Sequence, residues 1–214
     1  MKILAVDTAL GACSVAVTEG ERTLAHCHEF MDRGHAEALA PMVEDAMREA
    51  KIEFASLDRL AVTTGPGTFT GQRVGLAFMR ALRVALHRPL IGITTLAAME
   101  EAAKAETGLT RAIALHDARR DEVYIEIDGT PEVLLFDDAI NALQSIEGDS
   151  SIGLAGTAAP RVCEALAKRF VLSTIRQPDA LWVARLAAVA PETDTAPRPL
   201  YLRAPDAKLP AAKA

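Results

Sequence analysis

The chain carries one order of predicted strands and helices twice. In residues 3–106, three short apolar runs of strand type precede a helix, and a strand, a helix, a strand and a helix follow. Residues 112–190 show the same order, β-β-β-α-β-α-β-α. Eight elements in one order are hard to obtain twice by chance. The sequence therefore predicts an internal duplication that builds an α/β fold from two similar halves.

We place the boundary between the halves near Gly108. Residues 1–107 then form an N-terminal half, residues 108–190 a smaller C-terminal half, and residues 191–214 a proline-rich tail. Proline disfavours helices and central strands, so we expect the tail to run extended over the surface and to fray at residues 208–214.

A glycine-rich stretch joins a predicted buried strand, residues 57–64, to a predicted apolar helix, residues 72–87. Such a turn presents unpaired N–H groups at the positive end of a helix dipole, which makes it a candidate anion site. A tight connection that needs glycine for packing explains it equally well. Its spacing matches neither the P-loop nor the dinucleotide fingerprint. The residues concerned are Gly65, Pro66, Gly67, Thr68, Phe69, Thr70, Gly71 and, in the helix, Arg73.

An aspartate ends the first predicted strand of each half, Asp7 in one and Asp117 in the other. Two halves arranged in this way resemble the actin/hexokinase/Hsp70-like fold, in whose active members the two carboxylates would flank a nucleotide phosphate through Mg²⁺. We favour the simpler interpretation that each accepts N–H bonds at its own tight turn, because the second half is small and lacks a clear Gly-Gly adenosine loop. An ATP-binding or ATP-hydrolysing enzyme that uses both aspartates is the alternative function.

Composition restricts the partners and the compartment. The chain has 23 basic and 29 acidic residues, whereas a protein that holds nucleic acid by itself usually has a basic excess. Its three cysteines lack metal-site spacing, which indicates reduced thiols in a cytoplasmic protein. No apolar run approaches the roughly 18 residues of a membrane helix, so we expect no membrane span.

Two predicted helices carry broad apolar arcs. The arc of the helix at 72–87 is about twice the roughly 100° stripe of an ordinary surface helix, and the helix at 35–52 adds a broad arc with two methionines. Burial on both sides within one domain is the alternative to the interpretation we prefer, a partner interface. The predicted interface residues are Leu39, Met42, Val43, Met47, Val74, Gly75, Ala77, Phe78, Ala81 and Leu82. The remaining arc of the second helix holds Arg73, Arg80, Arg83 and His87.

Several motifs resemble one known family. The segment GPGTFTGQRVG, residues 65–75, resembles the GPGSFTGLRVG signature of the TsaB (YeaZ) family. Residues 3–16, 35–41, 117–124 and 199–203 also resemble that family in the same order, so the resemblance spans nearly the whole chain. It implies a non-catalytic protein that helps to install threonylcarbamoyl on the tRNA adenosine next to the anticodon.

The resemblance also implies the partners. Family members pair with the paralogous transferase TsaD and recruit the ATPase TsaE, while TsaC makes the threonylcarbamoyl-adenylate. For this chain it implies a helix-bundle heterodimer with a TsaD-like paralogue, a TsaE-like ATPase as a further partner, a homodimer when alone, and only indirect contact with tRNA. No cofactor of its own is expected, with ATP and Mg²⁺ confined to an interface in the complex.

Residues that would make the chain an enzyme are missing. The transferase paralogue resembles this chain around residues 90–99, where it carries two histidines one helical turn apart that hold a metal. Here the two positions are Thr95 and Met99, whose hydroxyl and thioether are poor replacements. His26 and His28 share a strand face without a nearby carboxylate, so we expect them to face solvent. We expect no metal and no peptidase activity, although an older label for such sequences is glycoprotease or M22 peptidase.

Overall fold

The structure, a computed structural model, describes residues 1–147, 151–166 and 169–203 and contains two five-stranded mixed sheets. In the first half the predicted order of elements is confirmed, with a short 3-10 turn at Phe54–Ser56 before the fourth strand. The strands are β1 (Lys2–Asp7), β2 (Ala12–Glu19), β3 (Arg22–Phe30), β4 (Arg59–Gly65) and β5 (Leu90–Thr94). The helices are α1 (His35–Ala50), α2 (Phe69–Leu86) and α3 (Thr95–Thr107).

The second half repeats this order, as predicted. Its strands are β6 (Ala112–Arg119), β7 (Glu122–Ile127), β8 (Thr130–Leu135), β9 (Ile152–Ala155) and β10 (Phe170–Leu172). Its helices are α4 (Phe136–Gln144), α5 (Ala159–Ala165) and α6 (Ala180–Val189). No helix in the described part of the chain combines the length and the apolar character that crossing a bilayer requires.

Both sheets have the same topology. The first runs β3-β2-β1-β4-β5 and the second runs β8-β7-β6-β9-β10. The first strand of each half pairs antiparallel with the second strand and parallel with the fourth. In the first sheet this register places Ala5 between Ala16 and Ala61. The duplication is therefore present in the strand pairing as well as in the order of elements.

One face of the first sheet is covered by α1 and α2. Because side chains alternate along a strand, Leu4 and Val6 of β1 point to the same face. There they share a buried cluster with Val43 of α1 and Met79 of α2. This core fixes α2 against β4, and so it positions the glycine-rich turn that joins them.

The last helix of each half packs on the sheet of the other half. α6 lies against the second face of the first sheet, where Val183 and Ala184 share a buried cluster with Ala5 and Ala61. α3 lies mainly against β6 and β9 of the second sheet. The halves are therefore interlocked by two helices. The predicted division at residue 108 stays a prediction.

The segment after α6 has no helix or strand up to residue 203 and crosses from one half to the other. The Leu200 N–H donates to the Thr64 carbonyl oxygen (2.8 Å) in the first half. Arg203 donates to the Glu122 carboxylate and to the Ala118 carbonyl oxygen (3.0 Å) in the second half. The fraying expected at residues 208–214 lies outside the described residues.

Candidate functional site

The glycine-rich turn lies against the hairpin that follows β1. The Thr8 hydroxyl donates to the Gly71 carbonyl oxygen (2.7 Å) and accepts the Gly75 N–H (2.9 Å). The Thr68 N–H donates to the Ala9 carbonyl oxygen (2.8 Å). These bonds join the end of the first strand to the start of α2, so the hairpin and the turn form one unit.

α2 begins three residues earlier than the sequence predicted. Thr68 is its N-cap, and the Thr68 hydroxyl accepts the Gly71 N–H (3.0 Å). Phe69 and Thr70 therefore lie in the first turn of the helix rather than in a loop. Glycine has a low helix propensity, which is why Gly71 was assigned to the loop.

Three glycines permit the close approach of turn and hairpin. An added Cβ would press on the Ala9 carbonyl oxygen at Gly67 and on the Thr8 carbonyl oxygen at Gly71. At Gly75 it would lie 2.7 Å from the Thr8 hydroxyl oxygen. These contacts support the packing explanation for the glycines. Anion binding by the turn stays a prediction.

Two buried polar side chains complete the turn, and the sequence analysis missed their role. Gln72 is 2% exposed, and its Nε2 donates to the Gly67 carbonyl oxygen (2.9 Å). Thr95, the first residue of α3, is fully buried and donates to the Pro66 carbonyl oxygen (2.7 Å). The available signal is a glutamine directly after the glycine-rich turn of a mostly apolar helix, because a buried amide needs a hydrogen-bond partner.

Core residues occupy the two positions where the resemblance implies metal-binding histidines in the transferase. Thr95 is held by its bond to Pro66, and Met99 is fully buried with Leu96 and Ala103 at the junction of the halves. Within the described ranges, no three His, Cys, Asp or Glu side chains come close enough together to hold a metal ion. This face of α3 packs the halves together.

Asp7 is fully buried at the end of β1. Its Oδ1 accepts the Thr63 hydroxyl (2.5 Å) and the Ala9 N–H (3.2 Å), while its Oδ2 has no partner among the residues that the structure describes. Burial raises the pKa of this carboxyl to about 7, and the two hydrogen bonds oppose that rise only in part. The Ala9 contact is the kind of turn hydrogen bond that we favoured from the sequence.

Asp117 holds the equivalent place in the second half but is exposed. Its Oδ1 accepts the Arg119 N–H (2.7 Å), and its own N–H donates to the Thr157 hydroxyl (2.9 Å) in the turn after β9. Each aspartate therefore accepts an N–H bond from the residue two positions further on. One carboxyl is closed off from solvent and the other faces it.

The prediction that His26 and His28 face solvent is confirmed for His26, which is exposed, whereas His28 is half-buried; both have partners that the sequence did not reveal. The His26 Nε2 lies 2.8 Å from Asp179 Oδ1, and the His28 Nε2 lies 3.2 Å from the Pro178 carbonyl oxygen. The hydrogen bond to Asp179 is the main cause that raises the pKa of His26. Burial favours a higher pKa for Asp179, but its bonds with His26 and with the Leu181 N–H together hold that pKa below its usual range.

The predicted partner interface divides into a buried part and an accessible part. Leu39, Met42, Val43 and Met47 of α1 are buried in the core of the first half, so the structure corrects their assignment to a surface. Gly75 is buried beneath Thr8. An apolar stripe on a helix indicates that the stripe is buried, but the pattern is the same whether the chain's own sheet or a partner protein covers it.

The accessible part lies on α2. Ala77 and Ala81 are exposed, and Val74, Phe78 and Leu82 are half-buried. Val84, which the prediction left out, is 68% exposed and extends the same face. We call the residues Ala77, Ala81 and Val84 the exposed apolar face of α2.

The C-terminal segment covers part of the arginine arc of α2. Arg80 donates from Nε to the Pro197 carbonyl oxygen (3.1 Å), and Arg83 donates to the Asp194 carbonyl oxygen (2.7 Å). Arg73 donates from Nε to the Tyr201 hydroxyl (2.8 Å). The segment is therefore fastened along the helix by arginine side chains.

Solved structures of low sequence identity share the architecture. The activator of 2-hydroxyisocaproyl-CoA dehydratase from Clostridium difficile has a TM-score of 0.50 at 11% identity, with 87% of this chain and 94% of that chain covered. A PilM-PilN type IV pilus biogenesis complex has a TM-score of 0.52 at 10% identity, with 89% and 99% covered. At such identities the likeness shows the fold alone.

Relatives in sequence carry a more specific name. The tRNA threonylcarbamoyladenosine biosynthesis protein TsaB of Escherichia coli is 40% identical over 124 residues, which are 58% of this chain and 53% of that protein. Its counterpart in Haemophilus influenzae is 37% identical over 58% of this chain and 52% of its own length. The match thus spans about half the length of these two relatives. An uncharacterised protein of Mycobacterium tuberculosis is 34% identical over 96% of this chain and 93% of its own length.

Two five-stranded sheets of one topology, shared with the solved structures above, define an α/β protein of the actin/hexokinase/Hsp70-like class. A family model described as TsaD, tRNA N6-adenosine threonylcarbamoyltransferase, matches residues 28–175. YeaZ from Pseudomonas aeruginosa has a TM-score of 0.80 at 32% identity, with 94% of this chain and 100% of that chain covered. The chain belongs to the TsaB/YeaZ family.

Proposed function

We propose that this chain is a non-catalytic subunit of the machinery that places threonylcarbamoyl on the tRNA adenosine next to the anticodon. It binds and orients a TsaD-like transferase, recruits a TsaE-like ATPase and contacts tRNA only through these partners. It has no cofactor of its own, and ATP with Mg²⁺ enters only at an interface of the complex. The relatives named TsaB and the family model named for the transferase support this assignment.

One observation carries the proposal: core residues stand where the transferase would hold its metal. Thr95 is tied to the glycine-rich turn, and Met99 packs between the halves. Neither a hydroxyl nor a thioether replaces an imidazole as a ligand for such a metal. A subunit of this kind acts by stabilising the active arrangement of its partner, which shifts a population and adds no chemical step.

The exposed apolar face of α2 supports the partner role. Ala77 and Ala81 have side chains small enough for a second helix to approach closely, and Val84 is 68% exposed beside them. An exposed apolar patch bordered by polar residues is typical of an interaction site. The face spans about two turns of α2, the longest helix among the described residues, along which a partner helix can lie.

The ATP-using enzyme is the alternative function, and the geometry at Asp7 supports it less well. Carboxylates that hold Mg²⁺ beside a phosphate are ionised and accessible. Asp7 is fully buried with a pKa raised to about 7. Calorimetry with ATP and Mg²⁺ distinguishes the two functions, because micromolar binding that Asp7→Asn abolishes would favour the enzyme.

The direct test is modification of tRNA in a purified system. The chain, a TsaD-like paralogue and a TsaE-like ATPase from one organism are combined with ATP, tRNA and threonylcarbamoyl-adenylate, and transfer of the labelled threonylcarbamoyl group to tRNA is measured. We expect no transfer by the chain alone and strong stimulation when it joins the other two. Turnover by the isolated chain would refute the proposal.

A surface variant separates docking from folding. Ala77→Glu should lower the stimulation at least about tenfold, because it buries a charge in the interface. Ala105→Glu, at an exposed position of α3, is the matched control and should behave as the wild type. Gly75→Arg is unsuitable, because the buried glycine contacts Thr8 and its replacement would damage the fold.

A further inference from the structure

α2 is a basic surface on an acidic protein. The helix contains three arginines and no acidic residue, while the whole chain has a formal net charge of −6. Charge of one sign concentrated on one helix attracts a partner of the opposite sign and orients its approach. The question is which chemical group these arginines are arranged to meet.

The guanidinium of Arg73 is held in one orientation with one edge open. Its Cζ lies 3.5 Å from the centre of the Phe69 ring, and its Nε donates to the Tyr201 hydroxyl (2.8 Å). The Phe69 and Tyr201 rings are stacked, with centres 5.8 Å apart. Within the described residues, neither Nη atom of Arg73 has a hydrogen-bond partner. An arginine ordered in advance loses little entropy on binding, and its free fork matches a carboxylate.

A groove of about 370 Å³ lies beside Arg73, between α2 and the C-terminal segment. Its walls are mostly apolar, and it contains two arginines of α2 that lie about two helical turns apart. Its lining residues are Arg73, Leu76, Ala77, Arg80, Pro199 and Tyr201, and we call it the Arg73 groove. Ala77 also belongs to the exposed apolar face of α2, so the groove and that face are continuous.

We propose that the Arg73 groove receives an acidic segment of the transferase partner. A carboxylate of that segment binds the open edge of Arg73, and a neighbouring apolar side chain fills the groove. The inference rests on the proposed function, because the partner is the TsaD-like protein. A nucleic acid fits less well, since its backbone requires several phosphates to be neutralised over an extended basic surface.

The test is the affinity of the chain for a purified TsaD-like paralogue, measured by calorimetry at low and at moderate salt. Arg73→Glu should weaken binding at least about tenfold, because it sets two carboxylates against each other. Arg22→Glu, at an exposed position of β3, makes the same change in net charge and should alter the affinity less than about twofold. Tyr201→Phe keeps the ring but releases the Nε of Arg73, and it should produce a smaller loss. Circular dichroism checks that each variant is folded.

The outcomes separate this inference from the proposed function. A wild-type chain that binds no transferase would refute the function and the inference together. A wild-type chain that binds while Arg73→Glu binds equally well would overturn the inference alone. Binding of the isolated chain to tRNA that Arg73→Glu abolishes, with the affinity for the transferase unchanged, would also overturn it, because the groove would then be a nucleic-acid site.

Discussion

Each half has a glycine near its strand-to-helix turn that leaves no room for a side chain, but the helices that follow differ. A Cβ added at Gly71 in the first half would meet the Thr8 carbonyl oxygen, and one added at Gly156 in the second half would meet the Leu115 carbonyl oxygen. The first half then continues into the 18-residue α2, whereas the second continues into the 7-residue α5. Among the described residues, the long helix with an exposed apolar face belongs to the first half.

The two aspartates that follow the first strands' apolar cores differ in burial. Asp7 is buried with a raised pKa, and Asp117 is exposed, yet each accepts an N–H bond from the residue two positions further on. The feature that the two halves share at this position is therefore the turn hydrogen bond made by the aspartate. A phosphate site of the actin-like class would need both carboxylates on one accessible cleft.

The largest expected effect tests whether the close contact is equivalent in the two halves. Gly71→Ala and Gly156→Ala should each lower the free energy of unfolding by about 3 kcal/mol, because the added Cβ meets a backbone carbonyl oxygen. At Gly156 the positive φ of 95° adds to the cost. Urea unfolding followed by circular dichroism measures both changes.

Gly153→Ala in β9 is the matched control. The atoms nearest to its added Cβ are side-chain atoms at 3.3 Å and beyond, so the cost should stay below about 1 kcal/mol. A large loss at one glycine and none at the other would show that the two positions are not equally tight.

The next effect uses pH to separate the two aspartates. Burial raises the pKa of Asp7 to about 7, so the folded state favours the protonated carboxyl. The free energy of unfolding then falls as pH rises from the unfolded pKa of about 4 through about 7. Asp7→Asn should raise stability by roughly 2 kcal/mol at pH 8.5 and change it little at pH 4. Thermal and urea unfolding at both pH values measure this.

Asp117→Asn is the control for that experiment. Because Asp117 is exposed, its replacement should change stability by less than about 0.5 kcal/mol at either pH. A stability loss in Asp7→Asn at pH 8.5 would mean that the ionised carboxylate has a partner, as the ATP-using alternative requires.

The smallest effect concerns the tie between the edge of the first sheet and α6. The pKa of His26 is raised by its bond to Asp179, so its stabilisation is present below the unfolded histidine pKa of about 6.5 and is lost as pH rises through the higher folded value. The pKa of Asp179 is lowered, so its part is lost as pH falls through its folded value. The pair therefore stabilises most between about pH 4 and pH 6.5.

His26→Gln should cost about 1 kcal/mol at pH 5.5 and less at pH 9, as measured by urea unfolding. Arg22→Gln, on the same strand, is the control and should show no such pH dependence. An equal cost at both pH values would show that His26 contributes by packing alone.

The order of elements was predictable from the sequence because each strand and helix carries its own apolar pattern, as residues 57–64 do. Which surface packs against an apolar stripe, however, depends on residues far away in the sequence. Val43 belongs to a stripe that fits a sheet and a partner helix equally well, and only the tertiary fold places the sheet there. His26 and Asp179 are separated by 153 positions, so no short motif joins them. The glycine motif could be recognised in the sequence, whereas its hydrogen bonds with the Thr8 hydroxyl could not be predicted.

The interlocked helices have a consequence for how this protein is made. The second face of the first sheet, with Ile3, Ala5 and Ala61, is covered by α6, which ends at Val189. While the chain is still emerging from the ribosome, that face lacks the cover of α6, however early its strands are synthesised. A product of interrupted translation would present this surface to chaperones and proteases, so the cell can distinguish unfinished copies from complete ones.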